Sequence, residues 1–140
     1  MKKKLFILGA LGIVPFMTAC GGNTNKLTCS YETKVGNINY IFEFDSNDKL
    51  TKASVEQNVE YEKVDCGTAE ECKKDAQKAL ENCKAQEDYT SCSLVNESDK
   101  GVTIKANITD EALKNDDTIS TGTAKEDVKS QFEKSGYTCK

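Results

Sequence analysis

The sequence predicts an α+β fold in which an antiparallel β-sheet carries helices on one face and is fastened by disulfides. Three observations support this prediction. Segments with alternating apolar and polar residues recur in both halves of the chain. A helical pattern lies in the middle, at about 68–86, and a second near the end, at about 124–135. Six cysteines follow an export signal, which is typical of a disulfide-bonded extracytoplasmic domain.

Residues 1–19 have the charge and hydropathy profile of a signal peptide, with three lysines followed by an apolar run from Leu5 to Phe16. Small residues precede Cys20, and two glycines follow it, a pattern that resembles the lipobox of bacterial lipoproteins. We therefore expect diacylglycerol on the Cys20 sulfur and cleavage before this residue. The alternative is ordinary cleavage after Ala19, which leaves a free thiol. Because acyl chains contribute about 0.8 kcal/mol per buried methylene, a multi-chain anchor holds the protein on the outer face of a membrane.

Beyond the anchor, the sequence predicts a polar tether over residues 20–26 and one domain over residues 27–140. The first predicted elements are two strands, Leu27–Lys34 and Asn37–Phe44, joined around Gly36. The second strand places Ile38, Tyr40, Phe42 and Phe44 on one face. Asp45–Asp48 then forms a turn, and a third strand covers Leu50–Tyr61.

The central helix is predicted over residues 68–86, because Thr68 and Glu71 have the spacing of a capping box. A second hairpin follows, with strands at Ser91–Asn96 and Val102–Ile108. A short helix is expected from Thr109. The C-terminal helix, at 124–135, is expected to begin with a second capping box and to stop at a glycine; the residues concerned are Thr123, Glu126 and Gly136. Residues 137–139 are then extended.

The six cysteines of the predicted domain form an even set, which indicates three disulfides. Cys72 and Cys83 cannot bond each other, because a helix separates them by about 16 Å whereas bridged Cα atoms lie about 4.4–6.8 Å apart. Proximity at the two helix ends favours the pairs Cys66–Cys72 and Cys83–Cys92. The remaining pair, Cys29–Cys139, closes the domain from end to end.

The composition narrows the chemistry that the chain can perform. Every basic residue is lysine, and the chain has no histidine, arginine or tryptophan. It therefore lacks an imidazole base or metal ligand and a bidentate anion clamp. Without residues 1–19 the chain has sixteen basic and twenty-three acidic side chains, a net charge of −7, which argues against a nucleic-acid partner. We expect no cofactor, no metal and a monomer.

A family resemblance spans most of the predicted mature chain. The lipobox, the opening Leu27-Thr28-Cys29, the segment Gly101–Ile104 with the following Thr109–Leu113, and the closing Gly136–Lys140 are similar to the YehR-like lipoproteins. This resemblance implies an α+β lipoprotein domain of uncharacterised function, and it transfers no functional residue. The four cysteines around the central helix are not part of the family pattern.

Other candidate sites are weaker than structural interpretations of the same residues. Asp45, Asn47 and Glu56 have part of an EF-hand spacing, but Lys49 and Leu50 stand where an oxygen ligand and a glycine are needed. Ser46–Lys49 matches S-x-x-K within a predicted turn. Paired acidic residues mark helix entries, and only Asp116-Asp117 suggests a weak cation site. The aromatic residues Tyr40, Phe42, Phe44 and Tyr61 are expected in the core, with a ligand groove as the alternative.

Two function classes follow. The favoured one is a lipid-anchored, extracytoplasmic binding module without enzymatic activity, whose partner is an envelope protein, a wall component or a small ligand. The alternative is an enzyme, in particular a redox protein that uses Cys66–Cys72 or Cys83–Cys92, since these bonds close short loops. Nearby lysines, Lys73, Lys74 and Lys84, are the available groups that could lower a thiol pKa.

Overall fold

The computed structural model describes residues 25–140, so the predicted signal peptide and Cys20 lie outside the described residues. Its strands form one antiparallel sheet in the order β4-β5-β3-β2-β1-β6. The α+β class with disulfides is thereby confirmed. The elements are β1 (Asn25–Thr33), β2 (Gly36–Phe44), β3 (Leu50–Glu60), a 3-10 turn (Tyr61–Lys63), α1 (Ala69–Lys84), β4 (Tyr89–Val95), β5 (Gly101–Ile108), α2 (Asp110–Lys114), α3 (Lys125–Lys134) and β6 (Thr138–Cys139).

Strands β1, β2 and β3 form a meander whose tight turns are set by local chemistry. Thr33 pairs with Gly36 across a two-residue turn, and Gly36 has φ 147°, a value that favours glycine. In the next turn the Asp45 carboxylate accepts hydrogen bonds from the backbone N–H groups of Asn47 and Lys49, at 2.8 and 3.0 Å. This Asx-type turn gives the Asp45 carboxylate a structural role.

The first strand begins two residues before its predicted start at Leu27. Asn25 and Lys26 belong to β1, where they pair with Phe44 and Glu43. The Asn25 side chain also donates to Asp48 and accepts from Lys125, which joins the start of β1 to the β2–β3 turn and to α3. These contacts involve residues far away in sequence, so no local pattern could indicate them.

One face of the sheet forms the core, and the two longer helices lie against it. The Phe132 ring of α3 packs against Tyr40 and Phe42, with centroid distances of 5.2 and 4.9 Å. On α1, the buried Cys72 and Ala76 belong to a second apolar cluster. The inward aromatic and aliphatic side chains are almost fully buried, as predicted for the aromatic set: Leu27, Ile38, Tyr40, Phe42, Phe44, Val55, Tyr61, Val102, Ile104 and Ile108.

Helix α1 begins as the sequence predicts. The Thr68 hydroxyl accepts a hydrogen bond from the Glu71 N–H at 3.3 Å, and the Glu71 carboxylate accepts from the Thr68 N–H at 2.8 Å. These bonds form a complete capping box, and they hold the pKa of Glu71 below its usual value.

The second predicted capping box, at Thr123 and Glu126, is wrong. Helix α3 has Ala124 at its N-cap, without a side-chain cap. The Thr123 hydroxyl accepts instead from the Ser120 N–H at 3.1 Å, and its carbonyl accepts from the Leu50 N–H at 2.9 Å. Thr123 is thus held against the start of β3, which removes it from the helix entry.

The C-terminus returns to the sheet through a sharp helix stop. Gly136 has φ 92°, and the N–H groups of Gly136 and Tyr137 bond the carbonyls of Glu133 and Phe132, the two bonds of a Schellman motif. The Tyr137 and Phe132 rings pack at 4.9 Å. Strand β6 then pairs with β1, where Lys140 and Thr28 exchange two backbone hydrogen bonds of 2.9 Å. The predicted extended end is confirmed.

Candidate functional site

The sheet face opposite the helices is polar and is not covered by any element of residues 25–140. We call it the open face. It consists of the outward positions of five strands, which the register aligns in rows: Lys26, Thr28, Ser30 and Glu32; Asn37, Asn39, Ile41 and Glu43; Lys52, Ser54, Glu56 and Asn58; Thr103, Lys105 and Asn107; Thr90, Ser93 and Val95.

At one end of the open face, the side chains bond one another in a directed chain across four strands. Thr103 donates to Asn58 at 2.5 Å, Asn58 donates to Asn37 at 3.0 Å, and Asn37 donates to Glu32 at 3.4 Å. Asn37 and Thr103 are only 2% and 6% exposed. Because a buried polar group without a partner destabilises the folded state, this chain of hydrogen bonds stabilises the sheet.

The next row of the open face is also internally bonded. Ser30 donates to Asn39 at 2.7 Å, and Lys105 forms an ion pair with Glu56 at 2.8 Å. Glu56, the last position of the EF-hand-like spacing, therefore pairs with a lysine and lies on β3, away from the turn that holds Asp45 and Asn47. The structure does not bring these three residues together.

The opposite end of the open face differs, because it forms a groove whose side chains are not paired with one another. The groove has a volume of about 490 Å³ and is lined by Ile41, Glu43, Lys52, Ala53, Ser54, Thr90, Asn107, Ile108, Thr109 and Asp110. Within residues 25–140, Glu43 bonds Lys26 at 3.1 Å and the Thr109 hydroxyl caps α2 by accepting from the Ala112 N–H. No side-chain hydrogen bond or ion pair to the described residues engages Lys52, Ser54, Thr90, Asn107 or Asp110.

The three disulfides join the pairs that the sequence predicts. Cys29 and Cys139 face each other across β1 and β6, with Cα atoms 4.0 Å apart. Cys66–Cys72 spans the start of α1, and Cys83–Cys92 ties its end to β4, with Cα separations of 5.1 and 6.1 Å. All six cysteines of the described chain are thus bonded.

The disulfides differ in access, which predicts the order in which they are reduced. Cys29 and Cys139 are both buried, whereas Cys66 and Cys92 are each half-exposed. A thiolate must reach the sulfur that it attacks, so Cys66–Cys72 and Cys83–Cys92 should both open before Cys29–Cys139. Timed reduction, trapping with maleimide and peptide mapping measure this order. Earlier opening of Cys29–Cys139 would contradict it.

The other sequence-level candidates occupy structural positions. Ser46–Lys49 lies in the β2–β3 turn, as predicted. The Asp116 carboxylate accepts from the N–H groups of Thr118 and Ile119, at 2.8 and 2.7 Å, so it stabilises its own loop. Among residues 25–140, no group of three His, Cys, Asp or Glu side chains is arranged to hold a metal ion.

The side chains whose pKa is shifted lie in the core and at the end of the sheet distant from the groove. Burial, with smaller contributions from Tyr89 and Tyr137, raises the pKa of Tyr40 far above its ordinary value. Burial likewise raises the pKa of Tyr89 and Tyr137. The exposed Lys73 and Asp99 pair at 2.6 Å, and this hydrogen bond raises the pKa of Lys73 and lowers that of Asp99. None of these perturbed groups lines the groove.

No helix among residues 25–140 has both the length and the apolar character needed to cross a bilayer. Comparisons of this chain with protein-family models, with curated proteins and with solved structures find no match.

Proposed function

We propose that this protein is a lipid-anchored, extracytoplasmic binding module that takes up a ligand of the cell envelope through the groove on its open face, without catalysing a reaction. The unpaired polar and charged side chains of the groove are the observation that carries the proposal. At the other end of the same face, Thr103, Asn58, Asn37 and Glu32 bond one another, and the next row contains the Ser30–Asn39 hydrogen bond and the Lys105–Glu56 ion pair. The groove volume falls within the range of about 300–1,000 Å³ that is typical of small-molecule sites. The proposal includes kinship with the YehR-like lipoproteins.

The position of Asn25 indicates how the proposed anchor would orient the folded domain at the membrane. Asn25 lies at the same end of the sheet as the β2–β3 turn and the start of α3. Four residues, 21–24, separate it from acylated Cys20, so the two Cα atoms can lie at most about 18 Å apart. The groove lies toward this end, since Lys26 of β1 pairs with its Glu43. The groove would therefore open close to the membrane surface, and the Cys66–Cys72 loop would point away.

Lipid anchoring is tested by the variant Cys20→Ser. Loss of the acylated sulfur should release the protein from salt-washed membranes, while the unchanged chain stays bound until detergent is added. The matched control is Ser30→Ala, which alters a polar residue of the folded domain and leaves the predicted lipobox intact. Metabolic labelling with a fatty-acid analogue should mark the unchanged chain and the control only. Membrane retention of Cys20→Ser, or labelling of that variant, would contradict the proposal.

A further inference from the structure

The groove on the open face contains groups of both charges on different elements. Lys52 lies on β3, directly opposite Glu43 of β2 in the strand register. Asp110 is the first residue of α2, which follows β5. Three charged side chains line the groove, and one of them, Glu43, already bonds Lys26. The Lys52 ammonium and the Asp110 carboxylate form no ion pair with any of residues 25–140.

Neutral hydrogen-bonding side chains of three neighbouring strands, β3, β5 and β4, form a row on the same surface. Ser54 pairs in register with Asn107, and Asn107 pairs with Thr90. With strands about 4.8 Å apart, this row extends over roughly 10 Å. Its hydroxyl and amide groups can both donate and accept hydrogen bonds. Ile41, next to Ser54 on β2, adds a half-buried apolar surface.

The combination indicates the chemistry of the ligand. A ligand with one anionic and one cationic group can pair with Lys52 and Asp110 at once, whereas a ligand with a single charge leaves one of the two unpaired. Polar groups between its charges, such as a peptide bond, match the hydroxyl and amide row. Among residues 25–140, no aromatic side chain lines the groove, so these residues offer no ring surface there on which a sugar or a base could stack.

We propose that the groove binds a small zwitterionic peptide, a dipeptide in the simplest case, with its carboxylate on Lys52 and its ammonium on Asp110. This inference rests on the proposed function and specifies its ligand class. Ser54, Thr90 and Asn107 hydrogen-bond the polar atoms between the two ends.

The test is calorimetric titration of the full mature chain, in detergent and with its disulfides intact. The probes are the dipeptide alanyl-alanine, its N-acetyl derivative and its C-terminal amide. The unchanged chain should bind the free dipeptide at least tenfold more tightly than either blocked form. Lys52→Gln should weaken the free dipeptide about tenfold and leave the amide unaffected. Asp110→Asn should weaken it similarly and leave the N-acetyl form unaffected.

Lys34→Gln and Asp65→Asn are the matched controls, since both residues are exposed and lie at the opposite end of the sheet. They should bind like the unchanged chain. Equal binding of all three probes, equal losses in the control variants, or no binding at millimolar concentration would overturn the inference. If a different envelope molecule binds to the groove, the proposed function stands. If neither the dipeptide nor any other envelope molecule binds to it, the proposed function is contradicted as well.

Discussion

Removal of the Cys29–Cys139 bridge should cause the largest loss of stability of any disulfide in this domain. The bond joins residues separated by 110 positions, and constraining a loop of this length in the unfolded chain is worth about 4–5 kcal/mol. We therefore expect Cys29→Ala/Cys139→Ala to lose most of the 5–15 kcal/mol or so that holds a typical domain folded. The C-terminal strand should detach first, since β6 has only two residues. Urea unfolding monitored by circular dichroism measures the loss.

The matched control is the double variant Cys66→Ala/Cys72→Ala. Its bond closes a loop of sequence separation 6, for which the same model gives about 2–2.5 kcal/mol. The end-to-end bridge should therefore cost roughly twice as much as the short one. Equal losses in the two variants, or a larger loss in the short-loop variant, would show that the end-to-end closure is not what stabilises this domain.

Asn58→Ala should have the second largest effect, although Asn58 lies on the polar side of the sheet. The substitution removes the side-chain oxygen that accepts from the Thr103 hydroxyl and the side-chain N–H that donates to the side-chain oxygen of Asn37. Both partners are buried, and an unsatisfied buried group costs about 1–3 kcal/mol, so the expected loss is about 2–5 kcal/mol. Urea unfolding at fixed pH provides the measurement.

Asn39→Ala is the control for Asn58, because Asn39 is an outward asparagine in the next row. Its partner Ser30 is half-buried and can bond water instead, so the loss should stay below about 1 kcal/mol. Asn58→Asp adds a second check, since aspartate still accepts from Thr103 but cannot donate to Asn37 when ionised. It should also be destabilised. Similar stability of Asn58→Ala and Asn39→Ala would contradict the structural role of the chain of hydrogen bonds.

Local signals in the sequence predicted most elements of the fold. The spacing of Thr68 and Glu71 predicted the start of α1 because a capping box involves neighbouring residues only. The glycine after α3 predicted its end for the same reason. The disulfide pairs followed from helix geometry, which separated Cys72 from Cys83 and left the end-to-end pair. The predicted cap at Thr123 was wrong because a contact with β3, distant in sequence, engages this residue.

The strand order and the groove could not be predicted from local sequence patterns. Both hairpins could be predicted, but no local pattern indicated that β5, rather than β4, pairs with β3. Gly101 contributes to this choice, since a side chain there would clash with the Val59 carbonyl. The alternation of Asn37 and Asn39 with apolar neighbours did indicate outward polar positions. Which outward groups bond one another depends on the register between strands far apart in the chain.

The central claim is that the groove on the open face is the ligand-binding surface. It is tested most directly by amide NMR of the labelled full mature chain in detergent, titrated with the small-molecule fraction of the envelope. The result that we predict is a set of shifts confined to β2, β3, the start of β4, β5 and the start of α2. These shifts should disappear in Ser54→Leu, which fills the groove, and persist in Thr28→Leu, a matched change in the same row outside its lining. Shifts on the helix-covered side, shifts that survive Ser54→Leu, or no shifts at all would contradict the claim.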